Sequence, residues 1–289
     1  MLPDEPMRDD RVVVDSWGFG TEPGEPLAGG DVTEGLVRVG ETVRRPASSS
    51  SDTVRRVLQH LEAVGFDGAP QWLGIDQLGR DVLSFVPGEV AGRPWPDWVA
   101  DAERAASVAR LVRRLDDVMR TLGVPSWAAD APQPEIGEAP ASVAPPPTML
   151  GHLDITPENV VFVDGRATAL IDFDLVRPTT RVEEVADMLL WWAGWMAPED
   201  RDRALHAVDP GERGRLLVDV YGLEEADRRR LVPVAVNHAR RSWHSMRWRA
   251  EHLGGGWQRM WDAGVGDRIR RREAWLREQE PVLRRALIA

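Results

Sequence analysis

The chain has 289 residues, a mass of 32.2 kDa and a formal net charge of -11. With 43% hydrophobic and 29% charged residues it has the composition of a soluble globular protein, long enough for one large domain or two lobes. The absence of cysteine excludes disulfides and thiolate metal sites, no apolar run approaches the ~20 residues of a membrane helix, and the acidic balance disfavours non-specific nucleic-acid binding.

The first residues, Met-Leu-Pro-Asp-Glu-Pro, carry no signal-peptide core, so a cytoplasmic protein is expected. Residues 1–26 are rich in Pro, Gly and acid and read as a loosely ordered arm with one short strand over 11–15. Two short strands follow the Gly29-Gly30 break, over 35–40 and 41–45, before Pro46 stops the second. Alternation puts Thr42 and Arg44 on one face of that second strand and Val43 and Arg45 on the other. Residues 50–64 read as a helix with Ser51 or Asp52 as cap and Val54, Val57, Leu58 and Leu61 as the apolar face. An apolar strand over 81–86 ends at Pro87-Gly88.

Residues 98–122 carry Ala102, Ala105, Val108, Leu111, Val112, Leu115 and Met119 at helical spacing, which predicts a long amphipathic helix. A Pro- and Ala-rich loop over 130–148 leads into the most informative stretch, 151–174. There Asp154 and Asn159 sit in a polar loop closed by Pro157. Two apolar runs, 160–163 and 167–171, flank Asp164-Gly165, a tight-hairpin signal. The hairpin brings Asp172, at the end of its second strand, back beside Asn159. Three oxygen-bearing side chains therefore converge, and Asn and Asp oxygens are hard ligands suited to Mg2+. A carboxylate beside such a metal can take the proton of a substrate hydroxyl, so the parts are those of phosphoryl transfer. Taken singly, each of these residues could be an ordinary turn residue.

Helices dominate the rest, with Glu183, Glu184 and Asp187 ahead of Trp191, Trp192 and Trp195. Breaks are predicted at Asp209-Pro-Gly211, Gly222, Gly254-Gly-Gly256 and Gly264. The arginine runs at 228–230, 240–249 and 270–272 read as solvated helix faces.

His152-Leu-Asp154 followed by Asn159 resembles the H-x-D-x-x-x-x-N loop of protein-kinase-like enzymes, and Ile171-Asp-Phe-Asp174 stands where those carry a metal-binding Asp. The wording is similar to the aminoglycoside phosphotransferase and choline-kinase branch, most strongly over 151–174 and more loosely from about residue 29 to the C-terminus. The resemblance implies an α+β, two-lobed fold: a small antiparallel-sheet lobe over 1–87 and a mainly helical lobe over 88–289, with ATP or GTP and Mg2+ between them. Asp154 would be the catalytic base, and Asn159 and Asp172 the metal ligands, with Asp174 in support. Backbone groups near Phe85 and Val86 would meet the purine. Arg44 or Arg45 would replace the usual phosphate-binding Lys, a residue this chain lacks altogether. The small residue two positions earlier favours Arg44. His152 would prop the loop. Glu184 stands where relatives brace that loop with Asp, and the helix Glu that usually pairs the Lys is replaced by Thr53 or Val54. The acceptor would be a small-molecule hydroxyl, an aminoglycoside being what the resemblance suggests; a cationic acceptor is compatible with the net charge. The missing Lys and helix Glu motivate an alternative, a kinase-like binding or immunity protein with little or no transfer.

Overall fold

A computed structural model describes residues 19–21, 24–27, 35–129 and 139–288. The strand expected over 11–15, most of the N-terminal arm, the Gly29-Gly30 break and the start of the 130–148 loop lie outside the described residues.

The N-terminal part is a five-stranded antiparallel sheet of β1 (Glu25–Pro26), β2 (Val37–Val39), β3 (Thr42–Arg45), β4 (Trp72–Ile75) and β5 (Asp81–Ser84), in the order β1-β2-β3-β5-β4. The β3–β5 register sets Arg45 opposite Asp81 and Thr42 opposite Ser84. Between β3 and β4 runs α1 (Ser51–Ala63), whose Val54, Val57, Leu58 and Leu61 are buried as its periodicity predicts. The helix differs from expectation at its cap. Ser50 holds the cap position, and its hydroxyl donates across the fold to Asp174 at 3.3 Å rather than capping the helix.

The long helix α2 (Ala102–Leu122) begins later than the apolar spacing suggested. Residues 97–100 form a 3-10 turn, and the Asp101 side chain accepts the Arg104 amide at 2.8 Å, which fixes the start at Ala102. The short α3 (Ser126–Ala129) follows. Next come β6 (Met149–Gly151), the hairpin of β7 (Val160–Val163) and β8 (Arg166–Leu170), and β9 (Arg177–Thr179), which pairs antiparallel with β6. Asp164 and Gly165 have φ of 49° and 74°, the two positive values that a right-twisted two-residue hairpin needs.

The remainder is helical: α4 (Arg181–Trp192), α5 (Pro210–Tyr221), α6 (Glu225–Arg228), α7 (Leu231–Leu253), α8 (Gly255–Asp262) and α9 (Val265–Ile288). Each predicted break falls at a helix end, and Gly222 takes the left-handed conformation that ends α5. α2 packs against α5, β6 and β8, while α7 packs against α4, α8 and α9. The apolar face of α1 and the buried faces of α2, α4, α5, α7 and α9 belong to one continuous core, which also holds Trp192 and Trp195. That core ties the small sheet to the helical part. A further clamp joins them, the Leu170 amide reaching the Gly68 carbonyl at 2.9 Å, and just past β5 Glu89 and Phe162 exchange backbone hydrogen bonds at 2.8 and 2.7 Å. Among the described residues no helix is long and apolar enough to cross a membrane.

Candidate active site

The hairpin does what its sequence implies. The Ile171 amide bonds the Asn159 carbonyl at 2.9 Å, so the residue before Asp172 lies against Asn159. The Asn159 Nδ2 donates to the Asp154 backbone carbonyl at 3.0 Å and to its Oδ2 at 2.9 Å. With its amide nitrogen engaged in these two bonds, the Asn159 side chain has its oxygen left to offer. Asp172 has φ of 63°, a left-handed value that Asp tolerates better than most residues, and its side chain is 36% exposed. Leu153, beside Asp154, also has positive φ, 56°. Two such residues flanking one group of oxygens mark backbone held in place by its surroundings.

What holds it is α4. Glu184 Oε1 accepts the His152 amide at 2.9 Å, and both its oxygens reach the Leu153 amide at 3.3–3.4 Å. Asp187 Oδ2 accepts the Ile155 amide at 2.8 Å. The brace expected of Glu184 is therefore shared. Asp187 was missed in that role, although its i, i+3 spacing from Glu184 places both on one face of α4. Gly151 makes room for the brace: a Cβ there would lie 2.3 Å from Glu184 Oε2. His152 donates from Nε2 to the Ile171 carbonyl at 3.0 Å and sits edge-on to Phe173. Burial pushes its pKa down to about 4, so it is a neutral strut.

Burial raises the Asp154 carboxyl to about 8, with the Asp187 and Asp172 charges adding to the effect and the Asn159 bond opposing it. A carboxyl held there titrates close to neutral pH, where a group can give or take a proton.

The arginines of β3 divide. Arg44 is buried on the far face, 3.9 Å from Asp76 and over the Phe19 ring. Arg45 Nη1 lies 4.0 Å from Asp172 Oδ1, and its Nη2 forms an ion pair with Asp174. The preference for Arg44 is thus corrected. Strand alternation separates the two faces, and Arg45 lies on the one that meets Asp172 and Asp174. The helix-to-strand ion pair is replaced as well: Arg55 of α1 and the Trp72 indole both donate to Asp81 of β5. At the strand end, the Phe85 amide donates to the Glu41 carbonyl at 2.8 Å, and its ring stacks under Arg38. The Phe85 amide is thus engaged within the sheet.

The profile of the phosphotransferase enzyme family matches residues 36–218, well over half of the chain. The chain belongs to the phosphotransferase enzyme family. A curated relative, the trifolitoxin immunity protein of Rhizobium leguminosarum bv. trifolii, is 32% identical over 225 residues, 74% of this chain and 79% of that one. Among solved structures, a choline/ethanolamine kinase family protein from Mesorhizobium loti superposes with a TM-score of 0.55 at 17% identity, covering 93% of both chains. An amicoumacin kinase in complex with AMP-PNP, Ca2+ and Ami superposes at 0.50 with 12% identity, over 86% of this chain and 88% of that one. At these identities the structural likeness establishes the protein-kinase-like fold alone: a small antiparallel sheet ahead of a mainly helical part.

The donor set of this phosphotransferase-family site fits Mg2+. It offers one amide oxygen and the part-exposed carboxylate of Asp172, with Asp174 next to it. Mg2+ is usually held by one or two protein groups together with phosphates and water. Among the described residues no group of three His, Cys, Asp or Glu is placed to hold a metal ion.

Proposed function

We propose that this protein transfers the γ-phosphoryl group of ATP or GTP to a hydroxyl of a small molecule. The observation that carries the reading is the Asp154–Asn159–Asp172 constellation, held by two buried acids of α4 and faced by the one β3 cation that reaches it. The nucleotide would lie between the 1–87 and 88–289 parts, with its base near the Phe85 carbonyl and Val86. Arg45 would swing its guanidinium from Asp172 and Asp174 to the phosphates, for which a planar fork is well suited. Asn159 and Asp172 would hold Mg2+, which neutralises phosphate charge. Asp154 orients the acceptor hydroxyl and takes its proton. The hydroxyl oxygen bonds to the γ-phosphorus, the bond to the bridging oxygen breaks, and the nucleoside diphosphate leaves with the electron pair. Neutral His152 moves no proton.

The test is thermal stability with and without nucleotide and Mg2+, on wild type and on Asp172→Ala. A specific ligand at about a hundred times its dissociation constant stabilises by about 2.7 kcal/mol. A metal-dependent shift in wild type that is lost in the variant supports the site; no shift with either nucleotide removes the cofactor and with it this reading.

One observation favours a second reading, immunity by binding without transfer: the relative at 32% identity is named as an immunity protein. Asp154→Asn separates the two. If a cell protected by this chain loses protection while the variant still folds, protection requires transfer; if protection persists, binding suffices.

A further inference from the structure

The helix packed against α4 is basic along one face. His238, Arg241, Ser245 and Arg249 recur at i+3, i+4 and i+4 along α7, so they share one face of that helix. α7 packs on α4, the helix that carries Glu184 and Asp187. The β6–β9 register sets Arg177 opposite Gly151, just ahead of the catalytic loop, and Arg177 Nη1 donates to the Leu175 carbonyl at 3.3 Å. Arg249 lies over the Trp257 ring of α8 at 4.5 Å and stands near enough to feel both Arg177 and Asp154. Burial lowers its pKa to about 10, which still leaves it a cation at neutral pH. The run over 240–249, expected to be a solvated face, is therefore only partly so. Arg240 and Arg247 pair with Glu273 and Glu251 at the surface, while Arg249 turns inward.

The neighbouring acids are already engaged. Glu184 and Asp187 hold loop amides, Glu183 accepts the hydroxyls of Thr179 and Thr180, and Glu158 takes Arg93 and the Trp95 indole. Among the described residues, Arg249 has no hydrogen bond and no carboxylate within 4.0 Å. Arg249 feels Asp154 as an opposing charge but forms no ion pair among the described residues, and such a half-buried cation bears a desolvation cost that an incoming anion would relieve.

We propose that the acceptor is an anionic hydroxyl compound, whose oxyanion group is held by Arg249 with Arg177 behind it while its hydroxyl faces Asp154. This rests on the phosphotransferase reading above, and it sets an oxyanion in place of the cationic acceptor that the family resemblance suggests. The Arg249 guanidinium lies over the Trp257 indole, and its planar fork matches carboxylate, phosphate and sulfate alike.

The experiment uses the full chain with Mg2+ and a non-hydrolysable ATP analogue. The metal-dependent nucleotide shift is read first, and its absence sinks the underlying reading. D-glycerate, phosphoserine and sulfate are then added as oxyanion probes, with choline and kanamycin as cationic hydroxyl probes. The proposal expects at least one oxyanion to raise the melting temperature further while the cations do not. Arg249→Gln should weaken that oxyanion about 10- to 100-fold, the scale of a charged hydrogen bond. Arg249→Lys, which keeps the charge without the fork, should fall between. A larger shift with choline or kanamycin overturns the proposal, as does an oxyanion shift unchanged in Arg249→Gln or the failure of all three oxyanions. If Arg249→Gln does not fold, the wild-type preference and Arg249→Lys decide by the same criteria.

Discussion

Arg45 reaches across from the small sheet to within 4.0 Å of Asp172, joining the two parts of the fold at the proposed metal site. Its neighbour Arg44 reaches 3.9 Å from Asp76 on the opposite face. Replacing Arg45 with Ala should therefore weaken the Mg2+-dependent nucleotide shift by about tenfold or more, the scale of one charged hydrogen bond. Arg44→Ala should leave nucleotide affinity within about twofold and lower stability by about 1–3 kcal/mol through loss of a buried side chain, since Asp76 keeps Arg80 at 2.7 Å. Calorimetric titration of both variants checks this; equal losses of affinity would show that the two arginines do not divide the work.

Asp154 is the group most directly exposed to a test by conservative change. Asp154→Asn keeps the shape and still offers an oxygen to Asn159, but it cannot take a proton. Transfer from radiolabelled ATP to an acceptor should fall by about 10²–10⁴, with the nucleotide shift preserved. A variant as active as wild type would remove Asp154 from the chemistry.

The α4 brace has a measurable stability. Glu184→Ala orphans the buried amides of His152 and Leu153, each worth about 1–3 kcal/mol. Glu184→Gln retains an acceptor oxygen and should cost much less. Gly151→Ala should mimic the Ala variant, since its Cβ would lie 2.3 Å from Glu184 Oε2. Urea midpoints order the three; a Gly151→Ala as stable as wild type would mean that the loop can shift without loss.

Asp116 of α2, fully buried and hydrogen-bonded by the Tyr221 hydroxyl, supplies a pH signature away from the site. Burial raises its carboxyl from 3.8 to about 7. Between those values the folded chain keeps a proton that the unfolded chain releases. This group's contribution to stability is thus fully present below about pH 4, declines as pH rises and levels off above about 7. Asp116→Asn, with no proton to release, should flatten that slope and be more stable than wild type at pH 8 by on the order of a few kcal/mol. Denaturation at pH 4, 5.5 and 8 reads it; a steeper fall in the Asn variant contradicts it.

The sequence by itself determined what local chemistry decides. The Asp164-Gly165 turn demands positive φ at both residues, so the hairpin and the meeting of Asn159 with Asp172 were legible from a few adjacent letters. Apolar periodicity revealed α1 and α2, and glycines marked the helix ends, because these are properties of neighbours along the chain. Only the tertiary structure decided which β3 arginine faces Asp172, since alternation separates two faces without saying which is covered. It alone showed the Asp81 partner of Arg55, the share of Asp187 in the brace and the inward turn of Arg249. Each joins residues dozens of positions apart, and their spacing carries no periodic or turn signal. A buried charge is set by what packs around it, and that is fixed only when the helices close on the loop.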